Sequence, residues 1–304
     1  MLKQLYPFGD RHPQFSMGRF RLNGRCSRRA GPLRRWGRRI GPRAAALAGV
    51  LVLAACEGGF TLTTPDIERT WSQAIVVLPA ETATAEPLVA RMSSASAERR
   101  LRVIAARTRL PVAIYLHGCT GVGNLSFLKE LAATGVVVIA PDSFARRYRP
   151  LQCDPKTKTG GRNLFVYDFR LAELTFALER LGEAPWADLN NLFLVGNSEG
   201  GVAAALFRGD VFNARVITQW TCQGAPLVRG IGAPESTPIL AIVRENDPFY
   251  DVRNTPEQQG HCGAYLAGRP ASRSVVLTAG EVHDVYNEPA AVQTILDFIG
   301  RHRR

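Results

Sequence analysis

Residues 192–201, LFLVGNSEGG, decide the fold of this chain. The first four form an apolar run typical of a buried strand, and a helical pattern begins after Ser198. The turn between them, Gly196-Asn197-Ser198-Glu199-Gly200, matches G-x-S-x-G, a sharp strand-to-helix turn that exposes a serine hydroxyl. Glycines flank the serine because larger side chains would clash there. So short a motif also arises by chance, and it is the flanking strand and helix that predict Ser198 as a nucleophile.

Short apolar runs rich in β-branched residues alternate with helical patterns on both sides of this stretch. The expected strands are 72–78, 112–118, 136–142, 192–198, 216–222, 238–246 and 274–280, and the expected helices are 164–181, 199–208, 289–301 and one that carries Leu125, Leu128 and Leu131 before Gly135. Residues 80–100 show no clear period and are left unassigned. Apolar strands alternating with helices predict an α/β fold with a mostly parallel central sheet and helices on both faces. The carboxyl ends of such strands meet at one edge, where active sites form.

The G-x-S-x-G turn in this setting resembles the nucleophile turn of the α/β-hydrolase family, and the resemblance covers most of residues 72–304. It implies an acid and then a base further along the chain. The acid is expected at Asp247, at the end of strand 238–246, where a carboxylate would orient an imidazole. Glu245 and Asp251 compete for this role, and an Asp before proline also commonly initiates a turn.

The base is expected just after the last strand, where the chain has His283. Histidine is suited to this role because its ordinary pKa lies near neutral pH. His261 is a rival, but it lies in a polar loop before that strand. A histidine in a loop is also often only a surface residue. The prediction that His283 is the base therefore depends on its position directly after the last strand.

Residues 116–121, LHGCTG, follow the first buried strand and resemble the His-Gly turn of lipases and esterases. More narrowly, LHGCT resembles polyhydroxyalkanoate depolymerases and related feruloyl and acetylxylan esterases. The resemblance implies an oxyanion hole formed by the backbone N–H groups of Cys119 and Glu199. Two departures leave the substrate open: Gly121 stands where those esterases usually have Gln, and Glu199 is charged where they often have a small residue. The chain is also close in size to dienelactone-hydrolase-like proteins, whose nucleophile is usually Cys rather than Ser.

The N-terminal segment carries nearly all of the net charge of +12: residues 1–55 hold 12 basic residues and one acidic residue, which leaves 26 and 25 for the rest. A nucleic-acid-binding protein would be expected to keep its basic excess on the folded domain, so no nucleic-acid partner is expected. The apolar run 44–55 is too short to span a bilayer and is typical of a signal peptide. Met17 is an alternative start, and the Arg pairs fit a twin-arginine signal poorly.

The end of this run, Leu53-Ala54-Ala55-Cys56, resembles a bacterial lipobox. The resemblance implies cleavage before Cys56, lipidation of Cys56 and a cell-envelope lipoprotein held on the periplasmic side of a membrane. An ordinary signal peptide and a periplasmic or secreted product are the alternative. Residues 1–55 are therefore expected to be a signal peptide and residues 56–304 a single domain.

Four more cysteines follow: Cys119, Cys153, Cys222 and Cys262. An even number in an exported protein indicates two disulfides, and four cysteines allow three pairings, among which sequence does not choose. Loops expected at the same end of the sheet favour Cys119–Cys153 and Cys222–Cys262. Buried free thiols are the alternative, and the spacings fit no zinc site.

These features together predict a serine hydrolase that acts on a small-molecule carboxylic ester without a metal or organic cofactor. A serine peptidase or amidase of the same fold and a catalytically idle binding lipoprotein are the alternatives. The loop 143–163, rich in Arg and Lys, is expected either to favour anionic substrates or to be solvated surface. Trp220 is expected either to wall the acyl pocket or to pack in the core. Oligomeric state and natural substrate stay open.

Overall fold

The computed structural model describes residues 64–304 except 83, 164, 224, 226–227 and 251–258. The expected signal peptide, the expected lipidation site Cys56 and the competing carboxylate Asp251 lie outside the described residues. Within them, no helix is long and apolar enough to cross a membrane.

Eight strands form one sheet in the order β2-β1-β4-β3-β5-β6-β7-β8. They are β1 (Ile75–Leu78), β2 (Leu88–Arg91), β3 (Leu110–Leu116), β4 (Val137–Ala140), β5 (Ala187–Asn197), β6 (Ala214–Thr218), β7 (Ile239–Arg244) and β8 (Arg273–Leu277). β1 is antiparallel to both of its neighbours, and every pairing from β4 to β8 is parallel. The mostly parallel sheet predicted from the sequence is therefore confirmed.

Helices cover both faces of the sheet. They are α1 (Asp66–Ser72), α2 (Ala95–Ala105), α3 (Leu125–Ala133), α4 (Val166–Gly182), α5 (Glu199–Leu206), α6 (Gly263–Leu266) and α7 (Pro289–Arg301). Apolar residues of α3 and α7 pack with Ala113 and Tyr115 on one face, and those of α2, α4 and α5 pack with Val112 and Ile114 on the other. Successive residues of β3 are thus buried on opposite faces, which explains why its sequence is a continuous apolar run.

The unassigned stretch 80–100 contains an edge strand and the start of a helix. β2 pairs only with β1, and its side chains are half-buried or exposed, so it lacks the apolar run of a central strand. α2 begins after Ser94, whose hydroxyl accepts a hydrogen bond from the Ala97 N–H at 3.2 Å. The strand expected from residue 72 starts at Ile75, because Ser72 still belongs to α1.

Candidate active site

Ser198 occupies a strained turn between β5 and α5. Its backbone has φ 54° and ψ −114°, a conformation that costs energy for a residue with a side chain and that clusters at functional sites. The Ser198 N–H donates to the Thr218 carbonyl of the neighbouring strand at 2.8 Å, which fixes the turn against the sheet. The serine hydroxyl therefore leaves the carboxyl edge of the sheet in a set direction.

The two motif glycines are required by close backbone contacts. A Cβ on Gly196 would lie 2.2 Å from the Gly200 carbonyl oxygen, and a Cβ on Gly200 would lie 2.0 Å from the Leu116 carbonyl oxygen. Any side chain at these positions would push α5 away from β3 and β5. Helix and strands approach closely enough to make the turn only because both positions are glycine.

Ser198, His283 and Asp247 form a continuous chain of hydrogen bonds. The Ser198 hydroxyl lies 2.9 Å from His283 Nε2, and His283 Nδ1 lies 2.7 Å from Asp247 Oδ2. Asp247 is 2% exposed, so its carboxylate holds the Nδ1–H tautomer and leaves Nε2 free to accept the serine proton. The ring of Phe249 packs 4.4 Å from the imidazole centroid and limits its rotation.

Two of the competing residues, Glu245 and His261, lie elsewhere. Glu245 is exposed, and its backbone N–H donates to the Leu277 carbonyl as part of the sheet edge. His261 is exposed, with its Nδ1 3.1 Å from the Ser274 hydroxyl. Neither of them contacts the serine.

The three groups lie at the ends of parallel strands: Ser198 follows β5, Asp247 follows β7 and His283 follows β8. This strand assignment and the chain order of serine, aspartate and histidine define one architecture. The chain has the α/β-hydrolase fold.

No family model and no curated protein matches the chain. Three solved structures illustrate what the chain is similar to. A predicted dienelactone hydrolase from Klebsiella pneumoniae is 16% identical, with 64% of this chain and 88% of that chain covered and a TM-score of 0.43. An acetyl xylan esterase from Paenibacillus sp. R4 is 14% identical, with 64% of this chain and 74% of that chain covered and a TM-score of 0.46. An acylaminoacyl peptidase from Pyrococcus horikoshii is 14% identical, with 65% of this chain and 38% of that chain covered and a TM-score of 0.46. The chain thus spans 38% of the peptidase's length. Nothing about the substrate follows from these likenesses.

The expected oxyanion residues lie beside the serine of this α/β-hydrolase turn. Cys119 and Glu199 line the same pocket as Ser198. Glu199 is the first residue of α5, so its N–H has no acceptor within the helix and stays available at the positive end of the helix dipole. A Cβ on Gly118 would lie 3.5 Å from the Ser198 Cβ, which shows how closely the 117–119 loop approaches the nucleophile.

Two disulfides link the loops at this edge of the sheet. Cys119 is bonded to Cys153, and Cys222 is bonded to Cys262. These are the pairs that the loop positions favour. The first disulfide ties the oxyanion loop directly to the loop 143–163.

Two arginines of the loop 143–163, Arg146 and Arg149, are almost fully buried and paired with carboxylates. Arg149 Nη2 contacts Glu199 Oε1 at 2.5 Å, and both side chains are 2% exposed. Arg146 Nε contacts Glu173 Oε1 at 2.8 Å, and Arg170 Nη1 contacts Glu173 Oε2 at 2.9 Å. This buried ionic cluster (Arg146, Arg149, Arg170, Glu173 and Glu199) corrects both expectations for Arg146 and Arg149, because paired, buried guanidinium groups neither select anions nor form solvated surface. Among the other basic residues of the loop, Arg147, Lys156 and Lys158 are exposed.

His117 joins the buried ionic cluster to the oxyanion loop. Its Nδ1–H donates to the Gly118 carbonyl at 2.7 Å, and its Nε2 accepts from the Ser143 N–H at 3.1 Å, with Arg170 Nη1 also at 3.1 Å. Burial, followed by the charge of Arg170, lowers the pKa of His117 well below its ordinary value. Because one ring nitrogen of His117 donates and the other accepts, the imidazole must be neutral.

Arg244, the last residue of β7, holds the loop that carries His283. Its Nε donates to the Asp284 carbonyl at 2.9 Å, its Nη2 donates to Asn287 Oδ1 at 2.6 Å, and its Nη1 contacts the Ala279 carbonyl. Arg244 was not predicted from the sequence, because an arginine at a strand end carries no motif. The signal that could have found it is a charged residue at the end of an otherwise apolar strand.

Proposed function

We propose that this protein is a serine hydrolase that cleaves carboxylic esters through an acyl-enzyme on Ser198. The observation that supports it most is the hydrogen-bond chain from the Ser198 hydroxyl through His283 to Asp247. A hydroxyl is a weak nucleophile at neutral pH and becomes effective when an oriented base accepts its proton. A buried carboxylate behind the imidazole meets that requirement and stabilises the imidazolium that forms.

The reaction has two halves. His283 Nε2 takes the Ser198 proton while Oγ bonds to the ester carbonyl carbon, and the carbonyl electron pair moves onto oxygen, where the Cys119 and Glu199 N–H groups stabilise it. The tetrahedral species then expels the alcohol, which takes its proton from His283. Water deprotonated by His283 attacks the acyl-enzyme in the same way and releases the acid and Ser198. No step calls for a metal or an organic cofactor.

Labelling with a fluorophosphonate probe, followed by kinetics with p-nitrophenyl esters, tests the proposal on residues 57–304. We expect labelling and ester hydrolysis in the wild type, and a loss of about 10⁴-fold or more in kcat for Ser198→Ala. An unlabelled, folded wild type would instead favour an idle binding protein. Faster turnover of aminoacyl amides than of the matched esters would favour a peptidase.

We also propose that the protein is exported and held at a membrane by a lipid on Cys56. The motif ahead of Cys56 and the two disulfides, which persist in oxidising compartments, support this. Mass spectrometry of the mature N-terminus after expression in a bacterium tests it. A diacylglyceryl group on Cys56, lost in Cys56→Ser together with membrane association, is the expected result, and an unmodified N-terminus in both proteins would contradict it.

A further inference from the structure

Most of the exposed apolar side chains lie at the carboxyl edge of the sheet, around the candidate active site. Eight large apolar side chains are exposed among the described residues. Five of them lie on segments that follow the carboxyl ends of β3, β4 and β8: Leu125, Tyr148, Leu151, Phe165 and Val282. Apolar side chains scattered singly over a surface need no explanation, but several at one edge mark an interaction surface.

The loop 143–163 holds its exposed side chains at the rim of the site. The Asn163 side chain donates to the Leu151 carbonyl at 2.8 Å, and the Asn163 N–H donates to Gln152 Oε1 at 2.7 Å, so the last part of the loop is fixed to its middle. Gln152 lines the same pocket as Ser198. Tyr148 and Leu151 are 67% and 58% exposed, so their side chains meet solvent from a fixed support beside the nucleophile.

The same loop carries an excess of positive charge. Its exposed basic residues are Arg147, Lys156, Lys158 and Arg162. They outnumber the acid of the loop, Asp154, and the exposed acids of neighbouring segments, Asp168 and Glu281. Lys158 Nζ lies 5.8 Å from the centroid of the Phe249 ring, which packs on His283, so this charge reaches the mouth of the site. Aromatic, aliphatic and basic side chains on one surface are the composition that binds an anionic bilayer.

The chain enters the folded domain at this surface. α1 begins at Asp66, whose Oδ2 accepts from the N–H of Arg147, the neighbour of Tyr148, at 3.2 Å. Nine residues, 57–65, join Cys56 to Asp66, and a chain extends by at most about 3.6 Å per residue, so a lipid on Cys56 would hold the start of α1 within about 35 Å of a bilayer. A compact domain of this size is roughly 45 Å across. So short a tether does not let the carboxyl edge face directly away from the lipid.

We propose that the carboxyl edge of the sheet docks on the surface of an anionic lipid bilayer. The side chains of Tyr148, Leu151 and Phe165 enter the interfacial layer, and the ammonium groups of Lys156 and Lys158 contact lipid phosphates. The candidate active site then opens toward the lipid. This inference goes beyond the proposed hydrolysis. The proposed lipid anchor supports it but is not required, because the docking groups belong to the folded domain.

Hydrogen exchange on vesicles tests the docking. The full chain is expressed in a bacterium, and the mature protein is reconstituted with excess vesicles of phosphatidylcholine alone or of phosphatidylcholine with phosphatidylglycerol. We expect the amides of residues 147–163 to exchange about tenfold more slowly on the anionic vesicles than on the neutral ones, because contact with the bilayer excludes water from them. Residues 208–213, which precede β6 at the opposite edge of the sheet, are the internal reference and should keep their rates.

Paired variants with matched controls identify the apolar docking groups. Tyr148→Ser with Leu151→Ser removes two exposed apolar side chains, and we expect it to abolish most of the slower exchange on anionic vesicles. Leu189→Ser with Val211→Ser is the control, because these side chains are 47% and 46% exposed near the amino ends of β5 and β6. We expect the control to exchange as the wild type does.

A second pair of variants tests the basic groups. Lys156→Gln with Lys158→Gln removes two positive charges, and we expect it to weaken binding to anionic vesicles about tenfold. Arg107→Gln with Arg208→Gln removes two exposed charges from segments that precede β3 and β6, at the opposite edge. We expect this control to leave the exchange of the loop on anionic vesicles unchanged.

The outcomes separate this inference from the other two proposals. Equal exchange of the loop on neutral and anionic vesicles, or equal effects of the variants and their controls, would overturn the docking. Slower exchange without lipid that increases with protein concentration would assign the surface to a second copy of the chain instead. Exchange reports docking without turnover, so a protein that docks but hydrolyses no ester contradicts the esterase proposal alone. Docking by a protein with an unmodified Cys56 contradicts the anchor alone.

Discussion

Arg244 is a single side chain on which the position of the candidate base depends. It is 4% exposed and binds the His283 loop at three points, before and after the histidine. Replacing it in Arg244→Met keeps the length of the side chain and removes these contacts. We expect kcat/KM for a p-nitrophenyl ester to fall about 10- to 100-fold, because a displacement of about 1 Å in a catalytic group can cost a factor of 100.

Two further variants show whether Arg244 acts by positioning. Arg269→Met is the matched control, because Arg269 also binds two loop carbonyls, those of Ala233 and Pro234, away from the histidine. We expect it to lower the thermal midpoint without a comparable loss of kcat. Arg244→Lys should recover part of the lost activity. Equal activity losses for the Arg244 and Arg269 variants would show a general effect on stability instead.

His117 gives the protein a stability that depends on pH. Burial lowers its pKa in the folded state well below the ordinary value of about 6.5 that it regains on unfolding. Below pH ~6.5 the unfolded chain therefore binds one more proton than the folded chain, and the free energy of unfolding decreases as the pH falls. We expect this residue to contribute a slope of up to about 1.4 kcal/mol per pH unit between pH ~6 and ~5.

Urea denaturation of the wild type and of His117→Asn over this pH range measures that slope. Burial raises the pKa of Glu199, and a raised carboxyl pKa gives a slope of the opposite sign, with stability lost as the pH rises. Because both proteins keep Glu199, the difference between them isolates His117. We expect the variant to be less stable at pH 7 but to have a flatter profile, and parallel profiles would contradict the prediction.

Among secondary-structure elements, those with a continuous apolar pattern or a glycine-bounded turn were predictable from the sequence. The central strands β3 and β4 were expected within two residues of their observed bounds, and helix 289–301 was expected with the bounds of α7. The end of β5 was expected within one residue, but the strand begins at Ala187, five residues before the expected start. The half-exposed edge strand β2 was missed, because its pairing with β1 and not its composition makes it a strand. α1 was missed as well, since seven residues give too short a pattern.

The residues of the candidate site that follow strands could be predicted from the sequence. The contacts that long side chains make between distant elements could not. Ser198, Asp247 and His283 each follow a strand, so a parallel sheet alone brings them to one edge. The contacts of Arg149 with Glu199 and of Arg244 with Asn287 join residues 50 and 43 positions apart. The local sequence around a buried arginine does not predict which distant group the arginine will bind.

Helix α5 depends on a buried arginine at its carboxyl end. Arg215 on β6 is fully buried and binds the carbonyl of Ala204, in the last turn of α5, and those of Phe207 and Gly209, which follow the helix. Burial lowers the pKa of Arg215 to about 10, so it stays charged at neutral pH. We expect Arg215→Met to lower the free energy of unfolding by about 3 kcal/mol, because one buried and two partly buried carbonyls lose their donor.

Chemical denaturation measures the effect of Arg215→Met, and Arg208→Met provides the control. Arg208 is exposed and lies just after α5, so the same substitution there should change stability by less than about 0.5 kcal/mol. Equal effects of the two variants would mean that the carbonyls find other donors, and the helix end would then not depend on Arg215.

For the whole molecule, the two disulfides differ in what they connect. Each closes a loop of similar length, with separations of 34 and 40 residues, so the chain-entropy model gives each a stabilisation of about 4 kcal/mol. Cys119 and Cys153 both line the pocket beside Ser198, whereas Cys222 and Cys262 are fully buried behind the pocket wall, in an apolar cluster with Trp220. Loss of either disulfide should therefore lower stability by a similar amount, but the two losses should affect activity differently.

Double substitution of each pair with alanine tests this difference. We expect both variants to lower the thermal midpoint by about 10 °C, since one kcal/mol shifts the midpoint of a domain of this size by about 2–4 °C. Only Cys119→Ala with Cys153→Ala should also lower kcat/KM measured well below that midpoint, because the N–H of residue 119, proposed to stabilise the oxyanion, loses its tether. Equal activity losses in both variants would show that the tether to the loop 143–163 does not position the oxyanion hole.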